Sequence, residues 1–134
     1  MTSKLDSIKN EIEKSLQIFH DHPDNISPFR SIEYLLESHL INDERLPFHE
    51  ELFSIYLLTV HLLNLLTGDV RYHQDSKELC CQIFSSLADL LQTIPDLILE
   101  KDNSLTRYRD KYKHCINIYL TNVKKINQLI SDTK

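Results

Sequence analysis

The sequence predicts an all-α, single-domain bundle of about five helices around a central hydrophobic helix (about 47–67), with a long C-terminal helix (about 104–130). Three observations carry this prediction. The 134 residues include one glycine, Gly68, whereas hairpins and bulges draw heavily on residues that tolerate positive φ. Apolar residues recur at three- and four-residue steps in five segments. No flexible linker composition divides the chain, so residues 1–134 are predicted to form one helical domain.

The first two helices have clear apolar stripes and clear end signals. Helix one is expected from about Ser3 to Phe19, where Pro23 disfavours helix at the residue before it. Helix two is expected to begin at Ser27-Pro28, a serine N-cap followed by a proline whose missing N–H needs no partner there. The stripes are Leu5, Ile8, Ile12, Leu16 and Phe19 in the first helix, and Phe29, Ile32, Leu36 and Leu40 in the second.

The third helix is expected to begin at Pro47 and to end at Gly68, a candidate left-handed C-cap. Between Leu52 and Leu66, 11 of 15 residues are apolar, and they fall on every side of a helical wheel. A membrane span needs about 20 such residues, so this segment is too short to cross a bilayer. A helix that is apolar all round must be buried all round. We expect the other helices to enclose it; the alternative is a homodimer in which a second subunit covers part of it.

His61 and Asn64 interrupt this apolar run. They lie three residues apart, so both can face one partner. The interpretation we favour is structural: a buried polar pair that fixes the register of the helix. Ser54 and Thr59 can return their hydroxyl groups to the backbone one turn earlier.

The fourth and fifth helices follow the same periodicity. The fourth opens with Asp75-Ser76-Lys77-Glu78, a variant of the capping box, and Pro95 ends it. Residues 94–101 are consistent with a short linking helix. The fifth runs from about Ser104 to Ile130, and its apolar positions fall within a sector of roughly 100°.

The sequence offers no spacing that is typical of a catalytic or metal site. Glu-x-x-His, His-Glu-x-x-His and Cys-x-x-Cys do not occur, and His20-Asp21-His22 lies at a helix end beside proline. We therefore predict no enzyme activity, no metal and no cofactor. Cys80, Cys81 and Cys115 are an odd number and fall in helical patterns, so they are expected to be core thiols of an intracellular, cytoplasmic or nuclear protein. The N-terminal residues contain no apolar signal-peptide region.

Charge is distributed unevenly along the chain. Residues 1–100 carry 7 Lys/Arg and 17 Asp/Glu, a net charge of −10, whereas residues 101–134 carry 8 and 3, a net charge of +5. The cations flank the apolar stripe of the last helix, and some apolar residues there lie outside the stripe. The candidate partner-binding residues are Arg107, Arg109, Lys111, Lys113, Ile118, Leu120, Lys124 and Lys125.

These patterns favour a non-enzymatic helical protein–protein interaction module: an adaptor, a chaperone-like protein or a regulatory subunit. Its partner would be another protein, bound through an acidic or apolar helix-binding segment, or a second copy in a homodimer. The alternative is a nucleic-acid-associated protein that uses the basic last helix, since phosphate contacts and tyrosine stacking suit such binding. The tyrosines of that helix lie on the stripe expected to face the core, and the whole chain is acidic, so nucleic acid is the weaker hypothesis.

Overall fold

The computed structural model describes residues 4–23, 25–66 and 77–132, and the described chain is an all-α bundle, as predicted. Its helices are α1 (Lys4–Asp21), α2 (Ser27–Leu35), α3 (His49–Leu65), α4 (Lys77–Leu91), α5 (Ile94–Ile98) and α6 (Ser104–Asp132). A π-helical segment, Leu36–Leu40, continues α2. The expected C-cap at Gly68 lies outside the described residues. The expected capping box at 75–78 lies partly outside them, because the described chain resumes at residue 77.

The beginning of α2 differs by one position from the prediction. Ser27 is already helical, and the residue before it, Ile26, occupies the N-cap position without a side-chain hydrogen bond. The Oδ1 atom of Asn25 instead accepts a hydrogen bond from the Ser27 amide at 3.0 Å. The proline signal therefore located the helix correctly. Asn25, two residues before Ser27, supplies the polar contact at the start of the helix.

The connection from α2 to α3 is tightly turned. The amide of Ile41 donates to the carbonyl of Leu36 at 2.9 Å, which closes the wider ring of a π-turn. Phe48, the residue before α3, adopts a left-handed conformation with φ of 55°. The His49 ring nitrogen Nε2 is hydrogen-bonded to the Ile41 carbonyl. The proline signal predicted that this helix begins at Pro47. It begins two residues later, at His49.

The core is continuous and links all the helices. Phe29 of α2 stands between two other rings: its centroid is 4.7 Å from that of Phe19 in α1 and 5.3 Å from that of Phe84 in α4. The helix α4 packs along α6, and α5, which is buried on most of its surface, joins them. No helix in the described ranges is long and apolar enough to cross a membrane.

The expected enclosure of the third helix is wrong for the single chain. One side of α3 faces the core, where Leu52, Ile55 and Leu62 are fully buried. The other side is open: Phe53 is 41% exposed and Leu57 is 51% exposed. The neighbouring helices pack on the core side and at the two edges, so no element in the described part of the chain lies over the outer side.

His61 and Asn64 do not form the buried pair that we expected. Both side chains are exposed. Residues three apart on a helix are separated by about 60° around its axis, and here that angle places them on different parts of the open side. The expectation failed because it assumed that the whole circumference of α3 is buried. Thr59 does behave as expected: it is buried, and its hydroxyl donates to the Ile55 carbonyl at 2.8 Å.

Candidate protein-interaction surface

The open side of α3 carries one row of side chains at helical spacing. The row is Phe53, Leu57, Val60 and Asn64, and we call it the outer stripe. Steps of four, three and four residues keep these positions within about 60° of each other on a helix with 3.6 residues per turn. Phe53, Leu57 and Asn64 are exposed and Val60 is half-buried. A row of three large apolar side chains in this position is typical of a surface that contacts another helix.

One edge of the outer stripe is acidic. Tyr56 lies on the side of α3 that faces α2 and the π-helical segment. Its pKa is raised by desolvation and by the negative charges of Glu37 and Glu33, and the two segments that carry these residues pack against α3. Glu37 is exposed and Glu33 is half-buried, with Glu33 also paired to Arg30 at 3.1 Å.

The other edge is formed by α6, which runs in the same direction as α3. A shared groove near the start of both helices is lined by Glu50, Glu51 and Ser54 of α3 and by Tyr108, Arg109 and Tyr112 of α6. Further along, the Nε2 atom of His61 is hydrogen-bonded to the Tyr119 hydroxyl at 3.0 Å, with the two rings edge to face at 5.5 Å. These contacts fix which side of α6 adjoins the outer stripe.

That side of α6 presents a basic row. Arg109, Lys113, Ile116, Leu120 and Lys124 follow one another at steps of four, three, four and four residues. By helical geometry this row lies outward of the tyrosines that contact α3. The three cations are exposed, Leu120 is 50% exposed and Ile116 is half-buried. The surface therefore has an acidic edge, an apolar middle and a second edge where this basic row of α6 lies beside Glu50 and Glu51 of α3.

The structure places the candidate partner-binding residues in three groups. Arg109, Lys113, Leu120 and Lys124 belong to the row beside the outer stripe. Arg107 is bound to Asp96 of α5 by a 3.1 Å ion pair, and Ile118 is half-buried against the core. Lys111 and Lys125 are exposed elsewhere on α6. The outer stripe itself was missed at the sequence level, because its residues looked like core residues.

The tyrosines of α6 pack against other parts of the protein. Tyr108 is buried, and Tyr112 and Tyr119 pack partly against the core. Burial raises the pKa of Tyr108, with Ser54 acting in the opposite direction. These rings are therefore not free to stack on bases. This agrees with their spacing in the sequence, which predicted that they face the core.

A second apolar groove lies between α1 and α2. Its lining includes Ile18 and Tyr34, both exposed, together with Leu35. The charges around it are mixed: Glu11, Lys14 and Arg30 all border it. The acidic and basic residues of this groove are not sorted to opposite edges, so they indicate less about the chemistry of a partner.

Polar pockets and clusters of His, Cys, Asp and Glu are the places in the described residues where a reaction centre would be sought. A polar pocket between α1 and α5 is lined by Glu13, His20, Gln92 and Asp96 among others, but Asp96 is already paired with Lys101 and Arg107. Within residues 4–23, 25–66 and 77–132, no three His, Cys, Asp or Glu side chains come close enough to hold a metal ion.

The cysteines lie where the helical pattern predicted. Cys80 and Cys115 are buried and Cys81 is half-buried. The Ser86 hydroxyl donates to the Cys115 sulfur at 3.5 Å. Burial raises the pKa of the Cys115 thiol, although the Ser86 hydrogen bond opposes this shift. A higher pKa lowers the fraction of reactive thiolate, so this cysteine is suited to packing rather than to nucleophilic chemistry.

Comparisons with known proteins add no further information. A scan against models of protein families gives no match, and neither do searches of the curated proteins and of the solved structures.

Proposed function

We propose that this chain is a non-enzymatic helical protein–protein interaction module, an adaptor, chaperone-like protein or regulatory subunit that acts through helix-face contacts. The single observation that supports this most is the outer stripe of α3. Leaving Phe53 and Leu57 about half exposed forgoes burial worth about 1 kcal/mol for each side chain. A partner that covers the stripe recovers that free energy. The buried thiols of Cys80 and Cys115 support an intracellular, reducing location.

The test is to ask whether the outer stripe touches protein in the cell. A photo-reactive benzoylphenylalanine is placed at position 57 of the full chain and, as a matched control, at the exposed position Asn10 of α1. Illumination in the native cells is expected to give a discrete protein adduct from position 57 and none from position 10. Adding Phe53→Glu on the same face should abolish the adduct. Equal labelling from both positions, or none from either, contradicts the proposal.

A nucleic-acid-associated role is the second candidate, and the exposed cations of α6 favour it. Six Lys or Arg residues lie on this helix between Arg107 and Lys125, with one acidic residue, Asp110, among them. Such a helix can contact phosphates, and binding would then weaken steeply with salt. Fluorescence anisotropy with single- and double-stranded probes at low salt tests this role. Binding that Lys111→Glu/Lys113→Glu removes would support it, and no binding at low salt would exclude it.

A further inference from the structure

The partner of the outer stripe can be identified from the spacing of the stripe and the charges beside it. The positions 53, 57, 60 and 64 are separated by four, three and four residues. This is the heptad spacing of a two-helix seam, with Phe53 and Val60 at d positions and Leu57 and Asn64 at a positions. A helix with such a seam packs against a second helix with a matching seam.

Asn64 adds information about the orientation of that second helix. A single asparagine at an a position is a feature of parallel two-stranded seams, where it pairs with the same residue of the other strand and fixes the register. In an antiparallel arrangement centred on the stripe, Asn64 would instead meet the Phe53 end, and its amide would be left against apolar atoms.

The edges of the stripe point to the same arrangement independently. A two-fold axis that runs along the seam exchanges its two sides. The basic row of α6 in one copy then lies over the acidic edge of the other, where Glu33 and Glu37 flank Tyr56. An axis across the seam would instead place each edge over the same edge of the other copy and bring like charges together. Charge complementarity of this kind fixes orientation in protein interfaces.

We propose that the outer stripe binds a second copy of this chain, with the two α3 helices packed in parallel about a two-fold axis along them. This inference rests on the proposed function, because it names the partner of the same surface. In a parallel seam the g position of one strand lies beside the following e position of the other. Tyr56 of one copy therefore lies beside His61 of the other, on the outer side of the His61–Tyr119 contact.

The available area is compatible with a dimer of modest stability. The 17 residues of α3 extend for about 25 Å at 1.5 Å per residue. Including the row of α6, whose axis lies about 8–10 Å away, the surface is about 20 Å wide. Two copies then bury about 1,000 Å², near the lower limit for specific interfaces. We expect a dimer that dissociates on dilution.

Sedimentation velocity of the full chain over a wide concentration range is the first test. The wild type is expected to shift from the 15.8 kDa monomer to twice that mass as concentration rises. Leu57→Glu should keep the chain monomeric, with unchanged helical circular dichroism. Lys124→Glu/Lys113→Glu and Glu37→Lys should each weaken the dimer at least tenfold, and an equimolar mixture of these two variants should associate again, since both edges become complementary.

Cross-linking decides the orientation. In a Cys81→Ser background, Asn64→Cys is expected to form a disulfide-linked dimer under mild oxidation, whereas Ser85→Cys on the exposed side of α4 should not. An antiparallel seam would give a 64-to-53 cross-link only when Asn64→Cys is mixed with Phe53→Cys, and would overturn the parallel arrangement. A wild type that stays monomeric up to its solubility limit overturns the second copy as partner. If position 57 then still labels another protein in cells, the proposed function survives; if it labels none, both fall.

Discussion

The two leucines Leu57 and Leu62 provide a sharp test of how α3 is oriented. Both lie in the same helix and look alike in the sequence, but Leu57 is 51% exposed while Leu62 is fully buried. Truncation of each to alanine removes the same atoms, so helix propensity and side-chain chemistry are matched. Any difference in the free energy of unfolding therefore reports the environment of each side chain.

The expected costs follow from burial. Leu62→Ala leaves a cavity among fully buried neighbours, and buried Leu→Ala changes cost about 3 kcal/mol, the transfer term plus the cavity term. Leu57→Ala loses only about half of a burial energy of roughly 2 kcal/mol, leaves no enclosed cavity, and gains slightly in helix propensity. We expect the second change to cost less than about 1 kcal/mol.

Urea unfolding followed by circular dichroism measures both values, at protein concentrations low enough to keep the chain monomeric. The midpoint should shift strongly for Leu62→Ala and little for Leu57→Ala, with the same slope for both variants. Equal losses in the two variants, or a larger loss at position 57, would show that α3 is rotated about its axis relative to the structure described above. The outer stripe would then lose its basis.

Three further predictions concern other parts of the fold. Burial raises the pKa of the Cys115 thiol. Its contribution to the free energy of unfolding is therefore full below the unfolded pKa of about 9 and falls as pH rises through the folded pKa, by up to about 1.4 kcal/mol per pH unit. Urea unfolding below and above that pH should show a smaller fall in stability for Cys115→Ala than for the wild type. Glu100 has a φ of 52°, so Glu100→Gly should raise the free energy of unfolding by about 0.5–1 kcal/mol. The control Asp102→Gly, at a residue outside the left-handed region, should lower it. An increase in both variants would point to a general loop effect. Asn122 is buried and donates to the Gln82 side chain at 3.0 Å, so Asn122→Ala should cost about 1–2 kcal/mol, and a change below the error of the unfolding measurement would show that this hydrogen bond contributes nothing net.

The amphipathic helices were predictable from the sequence because each has one apolar side. In α1, the spacing from Ile8 to Phe19 assigns a single face, and that face is buried. In α6 the same reasoning put Tyr108 and Cys115 inside, where both are found. Periodicity contains phase information whenever polar residues mark the opposite side of the helix. For these elements the start, the length and the buried face all follow from local sequence.

The contact between His61 and Tyr119 could not be predicted in this way. The two residues are 58 positions apart, and no local rule links them. The same is true of the acidic edge, since Glu37 and Tyr56 are 19 positions apart and belong to different helical segments. Such contacts depend on how helices are placed relative to each other, which a single sequence does not state.

The outer stripe was hidden in the sequence for a different reason, namely that α3 carries two interleaved stripes with the same spacing. The inner stripe is Leu52, Ile55, Thr59, Leu62 and Leu66, and the outer one contains Phe53, Leu57, Val60 and Asn64. Both alternate steps of three and four residues, so periodicity alone does not say which of them faces the core.

The polar member of each stripe determines the choice. Thr59 satisfies its hydroxyl within its own helix, at the Ile55 carbonyl, so the inner stripe can be buried without an outside partner. The amide of Asn64 has four hydrogen-bonding sites, which a lone helix cannot satisfy, and burying it unpaired would cost a few kcal/mol. Packing the inner stripe into the core therefore avoids that cost. It also leaves at the surface the stripe whose polar group can be satisfied by an identical amide from a second chain.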